Sequence, residues 1–141
     1  MTWEPWLIGF LSKWTAGLAA ESAGVNRVRY SPNIVLINVP CCGLISPIHV
    51  VDAFLQGADG VYIGGSLPPG NCHYKVGNFK AFKRFYLLKK LMSQFGIEPE
   101  RLRLEWFVSP QYRKLAKTID EFVEEIKRLG PITGWKEDEN K

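Results

Sequence analysis

The chain has 141 residues, 46% of them apolar and 23% charged, with a formal net charge of +4. That length suits one domain with a hydrophobic core, and the composition excludes a fibrous or low-complexity chain. No apolar run reaches the roughly 18–20 residues that cross a bilayer. The opening Met1-Thr2-Trp3-Glu4-Pro5-Trp6 lacks a basic leader and is read as no signal peptide. A cytoplasmic protein with reduced thiols is expected. Three cysteines argue against a disulfide scaffold, although one bridge from Cys72 to Cys41 or Cys42 stays open.

Strands and helices alternate along the chain. The short apolar run from Trp6 to Leu11 is the first expected strand, and the small-residue stretch from Trp14 to Ala23 the first helix. Ile34-Val35-Leu36-Ile37-Asn38-Val39 is almost wholly apolar and β-branched, which predicts a strand buried on both faces in a parallel sheet. Ser46 and Pro47 are a natural N-cap and first residue of a second helix that Gly57 ends. Gly60 to Gly64 is the third strand. After a Gly/Pro-rich loop, Phe79 to Phe95 is the third helix, with Phe79, Phe82, Phe85, Tyr86, Leu88, Met92 and Phe95 as its apolar stripe. Leu102 to Val108 alternates apolar and charged residues, as a strand near a sheet edge does. Pro110 opens the last helix, which presents Leu115, Ile119, Phe122, Val123, Ile126 and Leu129 on one face and stops at Gly130-Pro131.

This pattern predicts a single α/β domain, doubly wound and flavodoxin-like. Its four-stranded parallel sheet has the order 2-1-3-4 with helices on both faces. The domain is taken as residues 1–131, followed by a polar C-terminal tail, 132–141. Ligands in such folds bind beyond the carboxyl ends of the strands, where the order reverses. Cys41 and Cys42 follow the second strand, Cys72 and His73 lie in the loop after the third, and Ser12 and Thr15 follow the first. Strands two and three are about 10 Å apart on either side of strand one, so distant thiols are brought to one rim.

Several segments carry a further resemblance. They are Gly57-Ala58-Asp59-Gly60-Val61, Gly70-Asn71-Cys72-His73-Tyr74, Gly77-Asn78, and the run Gly96-Ile97-Glu98-Pro99-Glu100-Arg101-Leu102-Arg103-Leu104-Glu105-Trp106. Through them the chain resembles the iron–sulfur (delta) subunit family of methyl-viologen-reducing hydrogenase, from about Trp6 to Pro131. The resemblance implies a subunit with a two-iron two-sulfur (2Fe-2S) cluster. Such subunits pass electrons between a hydrogenase or formate dehydrogenase and heterodisulfide reductase, whose flavin subunit bifurcates them. The family pattern has five cysteines. On this chain they fall at Ser12, Thr15, Cys41, near Ser66, and at Cys72. Only two positions are thiols, Cys42 is an addition, and Leu44 stands where an arginine is usual.

A cluster takes four ligands, normally thiolates, and serine or threonine hydroxyls are harder, mostly protonated substitutes. Cys41, Cys42, Cys72 and His73 are the set left to hold one, with Cys41 and Cys72 as metal ligands at family positions. Two readings follow. In the first, the chain is a docking module of an electron-transfer complex and its cluster site is degenerate, with no cofactor expected. In the second, it is an electron carrier with a 2Fe-2S cluster on Cys41, Cys72 and neighbours. Both make it a non-catalytic subunit whose partners resemble a heterodisulfide reductase flavin subunit, together with hydrogenase or dehydrogenase subunits. Ser12 to Gly17 could alternatively hold a phosphate at a helix N-terminus, but no glycine-rich nucleotide motif accompanies it. The basic third helix (Lys75, Lys80, Lys83, Arg84, Lys89, Lys90) is read as a solvated or docking face rather than a nucleic-acid site. Trp3, Trp6, Trp14 and Trp135 are read as interface anchors.

Overall fold

Four parallel strands form one sheet in the order β2-β1-β3-β4, as the alternation of the sequence predicts. The computed structural model describes residues 3–13, 16–39, 45–66, 77–107 and 111–132. The strands are β1 (Leu7–Ser12), β2 (Ile34–Val39), β3 (Gly60–Ser66) and β4 (Leu102–Phe107), and the helices are α1 (Ala16–Val25), α2 (Pro47–Leu55), α3 (Gly77–Met92) and α4 (Tyr112–Leu129). The register sets Leu7 beside Ile34 and Gly60, and Ser12 beside Val39.

Side chains alternate across the strands, and each face meets two helices. On one face Leu7 and Leu11 of β1, Tyr62 of β3 and Phe107 of β4 pack with Ala16 and Ala19 of α1 and with Leu115, Ile119, Phe122 and Ile126 of α4. On the other, Val61, Ile63 and Leu102 pack with Val50, Ala53 and Phe54 of α2 and Phe85, Leu88 and Met92 of α3. Helix α1 is held close by its small residues, since Ala16, Ala19 and Ala23 are fully buried. The stripe expected on α4 is buried from Leu115 to Ile126.

Local chemistry explains the boundaries. The Ser46 hydroxyl accepts from the Ile48 N–H, and His49 closes the capping box by accepting the Ser46 N–H at 3.0 Å on Nδ1. Helix α3 tightens into a 3-10 turn, Ser93–Phe95, and Gly96 ends it at φ 81°, a left-handed conformation that costs glycine nothing.

Two expectations need correction. Strand β2 is not buried on both faces. It is a sheet edge, and Val35 and Ile37 are 50% and 42% exposed. Its apolar run reads as interior because hydropathy cannot tell a strand covered within the chain from one that is left open. Tyr86 lies outside the α3 core stripe, half exposed beneath the Lys90 ammonium, which sits 4.8 Å from the ring centroid. Trp3 is partly buried against the core. Trp14 and Trp135 lie outside the described residues.

Within the sheet, the Tyr62 hydroxyl lies 2.8 Å from Thr118 Oγ1. Thr118 donates its own proton to the Lys114 and Leu115 carbonyls, so Tyr62 is the donor of the pair. Burial is the main cause pushing the Tyr62 phenol well above its ordinary value. The neutral phenol's contribution is therefore complete below the unfolded value of about 10. It is lost as pH rises beyond that, because ionisation must occur inside the core. Tyr62→Phe is expected to cost about 1 kcal/mol at neutral pH and to flatten the alkaline limb of a stability–pH curve. An unchanged alkaline limb in urea titrations would contradict the assignment.

Candidate functional site

The carboxyl ends of the strands meet at one rim, and its described part is built from small residues in close contact. Strand β1 ends at Ser12, which is only 4% exposed. The next residue, Lys13, donates its backbone N–H to the Val39 carbonyl at 2.8 Å, which extends the β1–β2 ladder to the rim. Helix α1 then begins at Ala16 and runs so close to the sheet that a Cβ on Gly17 would lie 2.7 Å from Asn38 Oδ1 and 3.2 Å from the Ser12 carbonyl oxygen. Gly64 of β3 allows the same approach from the other side, where a Cβ would meet Ala16 Cβ at 2.8 Å. Glycine and alanine are required here by contact distance rather than by backbone conformation.

Farther along the rim, Ser66 pairs with Phe107 in the β3–β4 register. The Lys114 ammonium donates to the Trp106 carbonyl and sits 5.0 Å from the Phe107 ring centroid. Lys114 thereby ties the start of α4 to the end of β4. Sequence reasoning missed this lysine, because one cation on an amphipathic helix carries no pattern of its own.

Of the expected site residues, Ser12 is placed at the rim and Ser66 at the end of β3. Thr15, Cys41, Cys42, Cys72 and His73, together with Leu44, fall outside the described residues. The strands that precede them are placed as expected. Val39, two residues before Cys41 in sequence, and Ser66, six before Cys72, end β2 and β3 on the same rim, with β1 between them. Among the described residues no group of three His, Cys, Asp or Glu side chains could hold a metal. The four residues expected to hold a 2Fe-2S cluster, Cys41, Cys42, Cys72 and His73, all lie outside those residues. What that rim offers at the Ser12 position is a buried hydroxyl, and the whole chain carries three cysteines where a four-thiolate set is the norm.

The other rim, at the start of the strands, contains a second polar centre. Arg101 is fully buried. Its guanidinium donates to Glu98 Oε2 at 2.6 Å, to the Asp59 carbonyl at 2.9 Å and to the Gly130 carbonyl. Burial disfavours the Glu98 carboxylate, but the Arg101 hydrogen bond and charge outweigh it and hold its pKa below the ordinary value. The segment Gly96 to Arg101 thus acts as a structural clasp, at the opposite end of the strands from Ser12 and Ser66.

In doubly wound domains ligands bind beyond the carboxyl ends of the strands, the rim on which Ser12 and Ser66 lie. The chain belongs to the family described as methyl-viologen-reducing hydrogenase, delta subunit, whose model matches residues 7–130. It is 45% identical to the F420-non-reducing hydrogenase iron-sulfur subunit of Archaeoglobus profundus, over 92% of this chain and 94% of that one. It is 40% identical to the F420-non-reducing hydrogenase vhc iron-sulfur subunit of Methanococcus voltae, over 93% and 90%. It is also 38% identical to one subunit of the ferredoxin/F420H2-dependent CoB-CoM heterodisulfide reductase of Methanosarcina acetivorans. That match covers 91% of this chain but only 16% of the larger one. Among the described residues no helix is long and apolar enough to cross a membrane.

Proposed function

We propose that this chain is an accessory subunit of a hydrogenase–heterodisulfide reductase type of electron-transfer complex. In this reading it is a docking module whose family cluster site is degenerate. One observation carries the assignment to such a complex. The same module stands alone in hydrogenase iron-sulfur subunits and forms a small part of a larger heterodisulfide reductase polypeptide, as expected of a unit that works against that polypeptide. The degenerate site rests on the buried hydroxyl of Ser12 at the first family cysteine position, in a scaffold whose core is otherwise complete. Its partners are then a heterodisulfide reductase flavin subunit, together with hydrogenase or dehydrogenase subunits. Residues 1–131 are the docking domain, and 132–141 a tail whose first residue, Ile132, is anchored in the core.

The relatives' names, which specify iron–sulfur subunits, favour a second reading. In that reading Cys41 and Cys72 are metal ligands, with Cys42 and His73 completing the set, and the chain carries electrons itself. Anoxic co-purification with hydrogenase and heterodisulfide reductase subunits, followed by visible spectroscopy and iron analysis, separates the two. The docking reading expects iron far below two atoms per chain at this position in the complex, and a Cys72→Ser variant that assembles normally. Stoichiometric iron with broad visible absorption that Cys72→Ser abolishes would overturn it in favour of the carrier.

A further inference from the structure

We infer that the exposed apolar face shared by α2 and α3 binds the partner, and that the partner presents to it an acidic protein surface bearing large apolar side chains. The inference rests on the accessory-subunit reading above and specifies the surface used for docking.

The placement follows from helix periodicity. On α2, His49, Asp52, Ala53 and Gln56 line one flank, facing a groove of about 270 Å3 over Ile8, Phe10 and Ile37 of the sheet. Ile48, Val51 and Leu55, three and four residues apart, form the neighbouring outward row and are 74%, 44% and 53% exposed. On α3, Arg84, Leu87 and Leu91 share one row. The Arg84 guanidinium reaches the Ile45 carbonyl just before α2, so this row is turned toward α2. Leu87 and Leu91 on it are 58% and 38% exposed. Because α2 and α3 pack on the same face of the sheet, we take the two rows as one apolar surface. Five large side chains gathered on one surface exceed the scattered exposure that a monomer ordinarily shows.

Charge selects the occupant. Helix α3 carries Lys80, Lys83, Arg84, Lys89 and Lys90 and no acidic residue. Lys83 and Lys90 are exposed beside the stripe, and the one acid of α2, Asp52, four residues after Ile48 and three before Leu55, borders it on the groove side and accepts a hydrogen bond from Gln56. Among the described residues the stripe is bordered by Lys83 and Lys90 on α3 against the single Asp52 on α2, and this net positive border fits a partner with apolar side chains at its centre and carboxylates around them. Such complementarity steers encounter and rejects cationic partners. A second copy of this chain would bring the same cations against one another.

The test uses the full chain, with the heterodisulfide reductase flavin subunit, together with the hydrogenase subunits, as probes in calorimetric titrations. Leu87→Asp is expected to weaken binding about 30-fold, and the Leu87→Asp/Val51→Asp pair further. Lys83→Glu/Lys90→Glu is expected to weaken it about tenfold and to reduce its dependence on salt. All four positions are exposed, so circular dichroism melts should match the parent. Ile37→Asp, in the groove beside α2, should bind as the parent does. Parent-like binding by the Leu87 and Lys83/Lys90 variants would overturn the docking face while leaving the accessory-subunit reading intact. A parent chain that binds none of the probes removes both. Patch-dependent binding to phosphatidylcholine vesicles containing phosphatidylglycerol, without protein binding, would assign the face to a membrane surface instead. Patch-dependent self-association in sedimentation runs would assign it to a second copy.

Discussion

Arg101→Met is expected to lower folding stability by about 3 kcal/mol or more and Tm by about 10 °C. Methionine fills much of the same volume, so the loss isolates the polar contacts. Those contacts join three parts of the chain: Asp59 precedes β3, Gly130 follows α4, and Glu98 lies in the turn that feeds β4. Without the guanidinium, the Asp59 and Gly130 carbonyls lose their side-chain donor and Glu98 loses its cation. Arg101→Lys keeps the charge but cannot span both carbonyls with one compact ammonium, and should recover only part of the loss. The acid limb adds a second readout. The depressed Glu98 pKa contributes stability that is present above the unfolded value of about 4.3. That contribution fades as pH falls through the folded value, and Arg101→Met should erase it. A methionine variant that melts within a degree of the parent at neutral pH would refute the clasp.

Gly64→Val should cost about 3 kcal/mol and disturb the rim in particular. The new Cβ would meet Ala16 Cβ at 2.8 Å, Leu11 Cδ2 at 3.0 Å and Phe107 Cε2 at 3.3 Å. A leucine tip can rotate aside, but Ala16 Cβ is fixed to the first residue of α1, so the helix itself must retreat. Its retreat uncovers Ser12 and loosens the contact of Gly17 with Asn38. Gly64→Ala tests the same clash with the smallest increment and should fall between valine and parent. Urea denaturation measures the ladder. Hydrogen exchange should locate the damage at the start of α1 and spare α3. Equal stability of all three proteins would show that the rim tolerates bulk and would remove this account of its small residues.

Much of the fold was legible because its signals are periodic and local. Strand β2 lies at the residues its β-branched run marks, Ser46 caps α2, and Gly96 and Gly130 end their elements. The order 2-1-3-4 follows from short right-handed connections among four strand–helix units. What stayed hidden depends on tertiary partners. Arg101 and Arg103 look alike in sequence, two positions apart beside acids. Yet Arg101 is fully buried, while Arg103 forms a surface network with Glu105 and Glu121 at 2.9 and 3.1 Å. His49 carried no sequence signal for closing a capping box, because glutamate or glutamine is the usual residue there. For the site, the rim and the strands leading to it were readable, and Ser12 and Ser66 lie where the strand ends require. The ligand set was legible only as residue types at family positions. Whether thiols gather depends on loop paths, which no periodicity encodes.

The two borders of the sheet differ in kind. Strand β4 carries Arg103 and Glu105, locked to each other and to Glu121, whereas β2 presents six residues without a charge. Charged borders resist edge-to-edge pairing and bare ones invite it. Any strand recruited from outside would therefore add beside Ile34–Val39 and meet a closed frontier at β4. Growth through the backbone would stop after a single addition, giving finite particles of defined stoichiometry where a sheet open at both ends would polymerise.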